Sequence, residues 1–275
     1  MKTVEQFKQQ YESSDEGMAK ISGMRRVIEH LQGNKRSTTI EVPETGICFG
    51  LFGDTHNGSL YEDIGALNAY TKEAVEAGAQ CFLHAGDCLE GHKLYKGQEF
   101  ETHARGWNEQ KKHWAKVSPR TGLDTYFITG NHDASLKKLA GINVGEGLAE
   151  ERKDYKYIGE DQGTIVLKDK NGNKCTVMLL HPGGGSAYAL SYRPQKIVEQ
   201  IEGGTKPNIL GIGNYHKAEW IPSYRNVSVF QVGCFQRQTP FMLSKGLSAH
   251  VGGWIIKAGF KRGVANVEST FIAFY

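Results

Sequence analysis

The run Ile47-Cys-Phe-Gly-Leu-Phe-Gly-Asp-Thr-His56 decides the fold: a short apolar stretch ends in a glycine, then an Asp and a His one residue apart. An apolar run of this length reads as a strand. From the loop after such a strand, Asp54 and His56 can both face a single ion. The same grammar recurs four times. Cys81-Phe-Leu-His84 leads to Gly86-Asp87, and Tyr126-Phe-Ile-Thr129 leads to Gly130-Asn131-His132-Asp133. Val177-Met-Leu-Leu180 leads to His181, and Ile209-Leu-Gly-Ile212 leads to Gly213-Asn214-Tyr215-His216. In layered α/β proteins, ligand sites collect at the carboxyl ends of strands. One Gly-Asp pair is an ordinary turn; five such segments in order point at one place.

The donor set is mixed. Carboxylate and amide oxygens alternate with imidazole nitrogens, which suits Mn, Fe or Zn better than the oxygen-loving Mg or Ca. A carboxylate such as Asp87 can also bridge two ions through its two oxygens.

This ordered set resembles the calcineurin-like metallophosphoesterases, whose blocks run DxH, GD, GNH, a lone His and GHxH. The likeness spans roughly residues 45 to 235. It implies an α/β fold of two packed β-sheets flanked by helices, a four-layer sandwich. It also implies two divalent metal ions, with Mn favoured and Fe or Zn as alternatives. By position, Asp54, His56, Asp87 and His216 would hold the first ion, and Asp87, Asn131, His181 and residue 214 the second. His132 would be a catalytic imidazole that is not a ligand, with Glu90 or Asp133 orienting its ring. Gly86-Asp87-Cys-Leu-Glu90-Gly91 lacks the Arg that follows this block in Ser/Thr protein phosphatases, which argues against that branch. Gly233-Cys-Phe-Gln-Arg-Gln-Thr-Pro240 resembles the prokaryotic and phage repair-exonuclease-like members.

The chain departs from the pattern at Asn214, where the first His of GHxH belongs. An amide oxygen is a poorer donor than an imidazole for first-row divalent metals, so the second site should be the weaker. The function expected is a dinuclear-metal phosphodiesterase, with a metal-bridging hydroxide attacking phosphorus and a nucleic acid or nucleotide as substrate. The alternatives are a phosphomonoesterase, a hydrolase of cyclic or dinucleotide signals, or a catalytically weakened binding protein.

The 275 residues, 39% of them hydrophobic, are enough for one large core. We expect one domain over 41–275 and a helical appendage over 1–40. Within the appendage, Asp15 to Leu31 reads either as an amphipathic packing helix or as a worn helix-turn-helix. A net charge of +3 is compatible with a phosphate-bearing substrate but not with nucleic-acid packaging. The five cysteines lack a CxxC pair and read as free thiols. The amino terminus has no apolar signal core, and no run nears the ~20 apolar residues of a membrane span. A cytoplasmic location without a membrane partner is therefore expected.

Residues 92–118 form an insertion beside the site. Its Lys, His and aromatic residues could stack on bases and pair with phosphates. Alternatively, Phe100, Trp107 and Trp114, spaced by seven, are one buried stripe. The run Pro182-Gly-Gly-Gly-Ser186 is either a close approach to a ligand or a flexible turn.

Overall fold

The computed structural model describes residues 37–261 and 264–275. Its first sheet is built on the strands that carry the first three motifs, β2 (Ile47–Phe52), β3 (Cys81–His84) and β4 (Thr125–Thr129), with β5 (Tyr155–Glu160) beside β4, all paired in parallel. On its other side, β11 (Gly252–Lys261) pairs antiparallel with β2, and β12 (Val264–Ala273) with β11. The order is β12-β11-β2-β3-β4-β5. The second sheet runs β1-β6-β7-β8-β10-β9, from β1 (Ser37–Glu41), β6 (Gln162–Lys168), β7 (Lys174–Leu180), β8 (Ile209–Ile212), β9 (Ala218–Tyr224) and β10 (Val227–Val232). β10 joins β8 in this second sheet, while the later β11 and β12 extend the first.

The two sheets bury their facing side chains against each other, with Phe49, Leu51, Leu83 and Ile128 meeting Ile165, Val177, Leu179, Ile209 and Phe230. Their outer faces are covered by helices. On the first sheet, α1 (Ile64–Glu76) packs Leu67, Tyr70 and Ala74 against Phe52, Phe82 and Ile255. Beside it, α2 (Gly106–Val117), α3 (Asn131–Ala140) and α4 (Val144–Glu151) close over Phe127 and Tyr155 with Trp114, Leu136 and Leu148. On the second sheet, α5 (Tyr192–Gln200) sets Val198 against Leu210 and Val227, while α6 (Pro240–Ser244) follows β10. Burial on both faces explains why β2, β3 and β8 read as unbroken apolar runs rather than as alternating ones. The four-layer expectation holds.

One boundary shifts. Because β1 pairs in parallel with β6 from Ser37 to Glu41, residues 37–40 belong to the sheet and not to an appendage. The helices expected within residues 1–36, and the helix-turn-helix reading, lie outside the described residues. The aromatic stripe splits: Trp114 is buried and Trp107 packs against the same cluster, but Phe100 is exposed in a short turn ahead of α2. Lys111 lies over the Trp107 ring and pairs with Glu151 at 3.0 Å, so it braces α2 against α4. Cys81, Cys88, Cys175 and Cys234 are buried free thiols, and Cys48 is half-buried. Among the described residues, no helix is long and apolar enough to cross a membrane.

Buried His84 gives the fold an acid-sensitive point. Its Nδ1 accepts from Gly86 N–H at 3.2 Å, so Nε2 carries the proton and donates to Thr55 Oγ1, also at 3.2 Å, which in turn donates to Cys88 O. A second ring proton would face an N–H donor. Burial accordingly pushes the imidazole down to about 4. Since the folded value lies below the unfolded one, this stability is present above about 6.5 and is lost as pH falls toward 4, a loss of about 3 kcal/mol. Urea unfolding of metal-free protein between pH 7 and 4 should show that slope, and His84→Leu should flatten it; equal slopes would remove His84 as the cause.

Candidate metal centre

All five predicted segments meet at the carboxyl edge shared by the two sheets. Asp54 and His56 follow β2, Asp87 follows β3, and Asn131 opens α3 after β4; His181 follows β7, and Asn214 and His216 follow β8. Neither sheet alone assembles the site. The loops after β2 and β3 continue strand-like pairing past the sheet, with Asp54 N to Gly86 O at 2.9 Å, His56 N to Asp87 O at 3.1 Å and Asn57 N to Cys88 O at 3.0 Å. Five of the candidate ligands, Asp54, His56, Asp87, Asn214 and His216, have left-handed backbone, with φ between 45° and 74°. Such conformations cost roughly 1–3 kcal/mol each for non-glycine residues and persist where the surroundings over-determine them, typically at functional sites.

The ligand atoms form two adjoining groups. In one, His56 Nε2 lies 3.0 Å from His216 Nε2, and His216 Nε2 lies 3.4 Å from Asp54 Oδ1. In the other, His181 Nε2 lies 3.1 Å from both Asp87 Oδ2 and Asn131 Oδ1. Asp87 Oδ2 is also 3.8 Å from His56 Nε2, which places this carboxylate between the groups. His181 Nδ1–H donates to Ala85 O at 2.7 Å, so its Nε2 turns a lone pair toward two oxygen acceptors. With the ring neutral, three acceptors face one another and call for a cation among them, either a proton on Nε2 or a metal ion, and the donor set fits a divalent metal. The electrostatics agree. Burial disfavours the His181 charge, yet Asp87 outweighs it and the imidazole is pushed up to about 10. Burial likewise opposes ionisation of Asp87, but His181 and His132 hold its carboxyl far below the ordinary carboxylate range.

The glycines before the ligands do more than turn the chain. Of Gly86, Gly130 and Gly213, only Gly86 needs positive φ, at 95°. All three press against the His181 ring: an added methyl would stand 2.5 Å from Nδ1 at Gly86, 2.6 Å from Nε2 at Gly130 and 2.8 Å from Nδ1 at Gly213. The Gly-Asp and Gly-Asn pairs therefore mark a cradle for one imidazole.

Glu90 and Asp133 do not orient the His132 ring as expected. His132 Nδ1 donates to the backbone carbonyl of Glu90 at 2.6 Å. The Glu90 carboxylate instead reaches His56 Nδ1 at 3.2 Å and is itself held by Gln98 at 2.8 Å and Gln236 at 2.9 Å. It fixes the tautomer that presents His56 Nε2 to the centre, the usual arrangement behind a metal-binding imidazole. Asp133 is wholly buried and accepts three backbone N–H groups, from Cys88 at 3.1 Å and from Leu89 and Gly130 at 3.0 Å. Burial and the nearby Asp87 charge raise its carboxyl to about 7. Its geometry ties the loop after β3 to the start of α3.

Gln98 and Gln236 escaped the sequence reading, although Gln236 lies inside the Gly233–Pro240 stretch already singled out. Glu90→Gln keeps the shape but weakens the acceptor for His56; we expect metal affinity to fall about 10–100-fold. Metal titration with unchanged affinity would leave Glu90 a packing role only.

Asn214 N–H donates to both Asp54 oxygens at 2.9 and 3.1 Å, and its side-chain Nδ2 donates to Gly184 O at 2.8 Å. The residue therefore links the glycine run after His181 to the metal-facing loop. Gly184, Gly185 and Ser186 line one wall of a cleft of about 310 Å³ over His56, Asp87, His132 and His216. Tyr95 and Phe241, stacked at 4.2 Å, line the same cleft.

Solved structures of similar shape include Vps29 from Chaetomium thermophilum, 11% identical with a TM-score of 0.41, covering 84% of this chain and 97% of that one. A predicted phosphoesterase from Streptococcus pneumoniae is 8% identical with a TM-score of 0.37, covering 82% and 98%. A hypothetical protein from Pyrococcus horikoshii is 11% identical with a TM-score of 0.43, covering 83% and 88%. No curated protein matches the sequence. The model of the calcineurin-like phosphoesterases matches residues 49–232, more than half of the chain and all five ligand segments, and the chain belongs to that family.

Proposed function

We propose that the protein is a metal-dependent phosphodiesterase acting on nucleic acid or nucleotides. The observation that carries the reading is the pair of adjoining ligand groups with Asp87 Oδ2 between them. Asp54, His56, Asp87 and His216 would hold one ion; Asp87, Asn131 and His181, with Asn214, would hold the other. When bound, two divalent ions acidify a water and neutralise the phosphoryl oxygens. Mn is the favoured occupant, with Fe or Zn as alternatives, because imidazole and oxygen donors are mixed.

The protein's own groups do the rest. His132 is fixed through Nδ1 to a carbonyl, which leaves Nε2 for the cleft it lines. From there its protonated ring can donate to the departing oxygen. The Glu90 carboxylate, held by two glutamines, keeps the His56 ring in place as charge shifts at the centre. Tyr95 and Phe241 give the cleft an apolar wall against which a base or an aromatic leaving group can pack.

The test is hydrolysis of bis-p-nitrophenyl phosphate beside p-nitrophenyl phosphate, with Mn added. Diester turnover supports this reading, a monoester preference replaces it with a phosphomonoesterase, and silence on both leaves a binding protein on the same fold. His132→Ala should keep its metals and lose roughly 10²–10⁴-fold in diester rate. Metal analysis that found this variant empty would overturn the role given to His132.

A further inference from the structure

A second cluster of ligand-type side chains lies outside the centre, where the insertion folds back on the loop after β2. Glu62 Oε1 receives His103 Nε2 at 2.9 Å and His113 Nε2 at 2.5 Å. The other carboxylate oxygen, Oε2, is occupied by Asn57 Nδ2 at 3.1 Å and Gly58 N at 3.0 Å. One oxygen is thus anchored to the loop and the other is turned to the two imidazoles. His103 is itself pinned, its N–H donating to Gly58 O at 2.9 Å, while His113 projects from α2. The rings stand nearly perpendicular, with centroids 4.5 Å apart, so both nitrogens aim at one point without stacking.

We propose that Glu62, His103 and His113 form a further metal site, for a zinc-class ion. The three ligand atoms lie within 4.8 Å of one another. Around a tetrahedral zinc with bonds of ~2.0–2.1 Å, ligands stand about 3.3 Å apart, so entry of an ion needs the rings to withdraw by less than about 1 Å. The His103 and His113 side chains are 35% and 22% exposed, which leaves them room to do so. Two imidazoles and one carboxylate match the three-ligand sets that keep a coordination position for water or an anion. The carboxylate is already oriented by Asn57 and Gly58, the kind of outer support that such ligands use. Filled, the site would cross-link the loop that follows His56 to the insertion at two points, which the hydrogen bonds alone do more weakly.

The full-length chain, loaded with zinc and freed of excess metal, should lose one zinc per chain in Glu62→Gln, His103→Gln or His113→Gln, by elemental analysis. None of these residues belongs to the candidate centre, so the remaining metal should be unchanged. Asp87→Asn should do the reverse, emptying the centre and keeping this ion, so either site can fail without the other. Equal zinc content in the wild type and the three variants overturns the proposal. Zinc-edge anomalous maps from soaked wild-type crystals need no variant: a peak between the three side chains is the expected result, and its absence at full soak overturns the site as well.

Discussion

Asp87→Asn is expected to empty the metal centre and abolish diester hydrolysis, a loss of at least about 10³-fold, while the fold stays intact. Its two oxygens have different tasks. Oδ1 accepts the N–H of His132 at 2.9 Å, and Oδ2 faces His181 and, farther off, His56. In the Asn variant the amide oxygen stays with the His132 N–H, because the reverse orientation would set donor against donor. The NH₂ group then occupies the Oδ2 position and can donate to His181 Nε2. That hydrogen bond preserves the packing, yet a donor now stands where the two proposed cations would share an acceptor. Elemental analysis beside circular dichroism and diester hydrolysis checks all three parts. A folded variant that still carried its metals would show that Asp87 is not the bridge.

Gly130→Ala is expected to be as damaging to turnover, by a route that sequence chemistry does not suggest. The position has an ordinary extended backbone and no left-handed requirement, so alanine is acceptable locally. A methyl there would stand 2.6 Å from His181 Nε2 and closer still to Asp87 Oδ1, so both must move. Overpacking of this kind costs about 1–3 kcal/mol of stability. The functional cost is larger, since displacing a catalytic group by about 1 Å loses on the order of 10²-fold, and here two ligands of one group shift together. We expect metal content to fall and diester turnover to drop below detection, with only a modest decrease in melting temperature. Normal metal content and rate in Gly130→Ala would mean that the cradle around His181 is looser than its contacts indicate.

These two positions show how differently the centre could be read in advance. Asp54, His56, Asp87, Asn131, His181, Asn214 and His216 were legible because each ends an apolar run, and the strand before it delivers it to the same edge. That signal is local: chain direction and burial on both faces of a strand act over a few residues, and the residues carrying the chemistry follow directly. The partners that hold those ligands were not legible. By its place in the Gly86–Gly91 block Glu90 reads as the group that orients His132, but its carboxylate turns to His56 and is held by Gln236, 146 residues away. The three glycines could each be taken for turn formers until the folded chain brought them around one imidazole, which for Gly86 and Gly130 comes from the opposite sheet.

The sequence by itself determined the strand runs and the order of the metal-binding segments, because apolar patterning and short-range backbone chemistry specify them; the two packed sheets were what the family resemblance implied. Only the tertiary structure decided which late strands joined which sheet, which group held each imidazole, and that Glu62, His103 and His113 meet at one carboxylate oxygen. Hydrogen bonds and close packing act over about 3–4 Å, and the residues they join here are tens to hundreds of positions apart, so no local pattern records them.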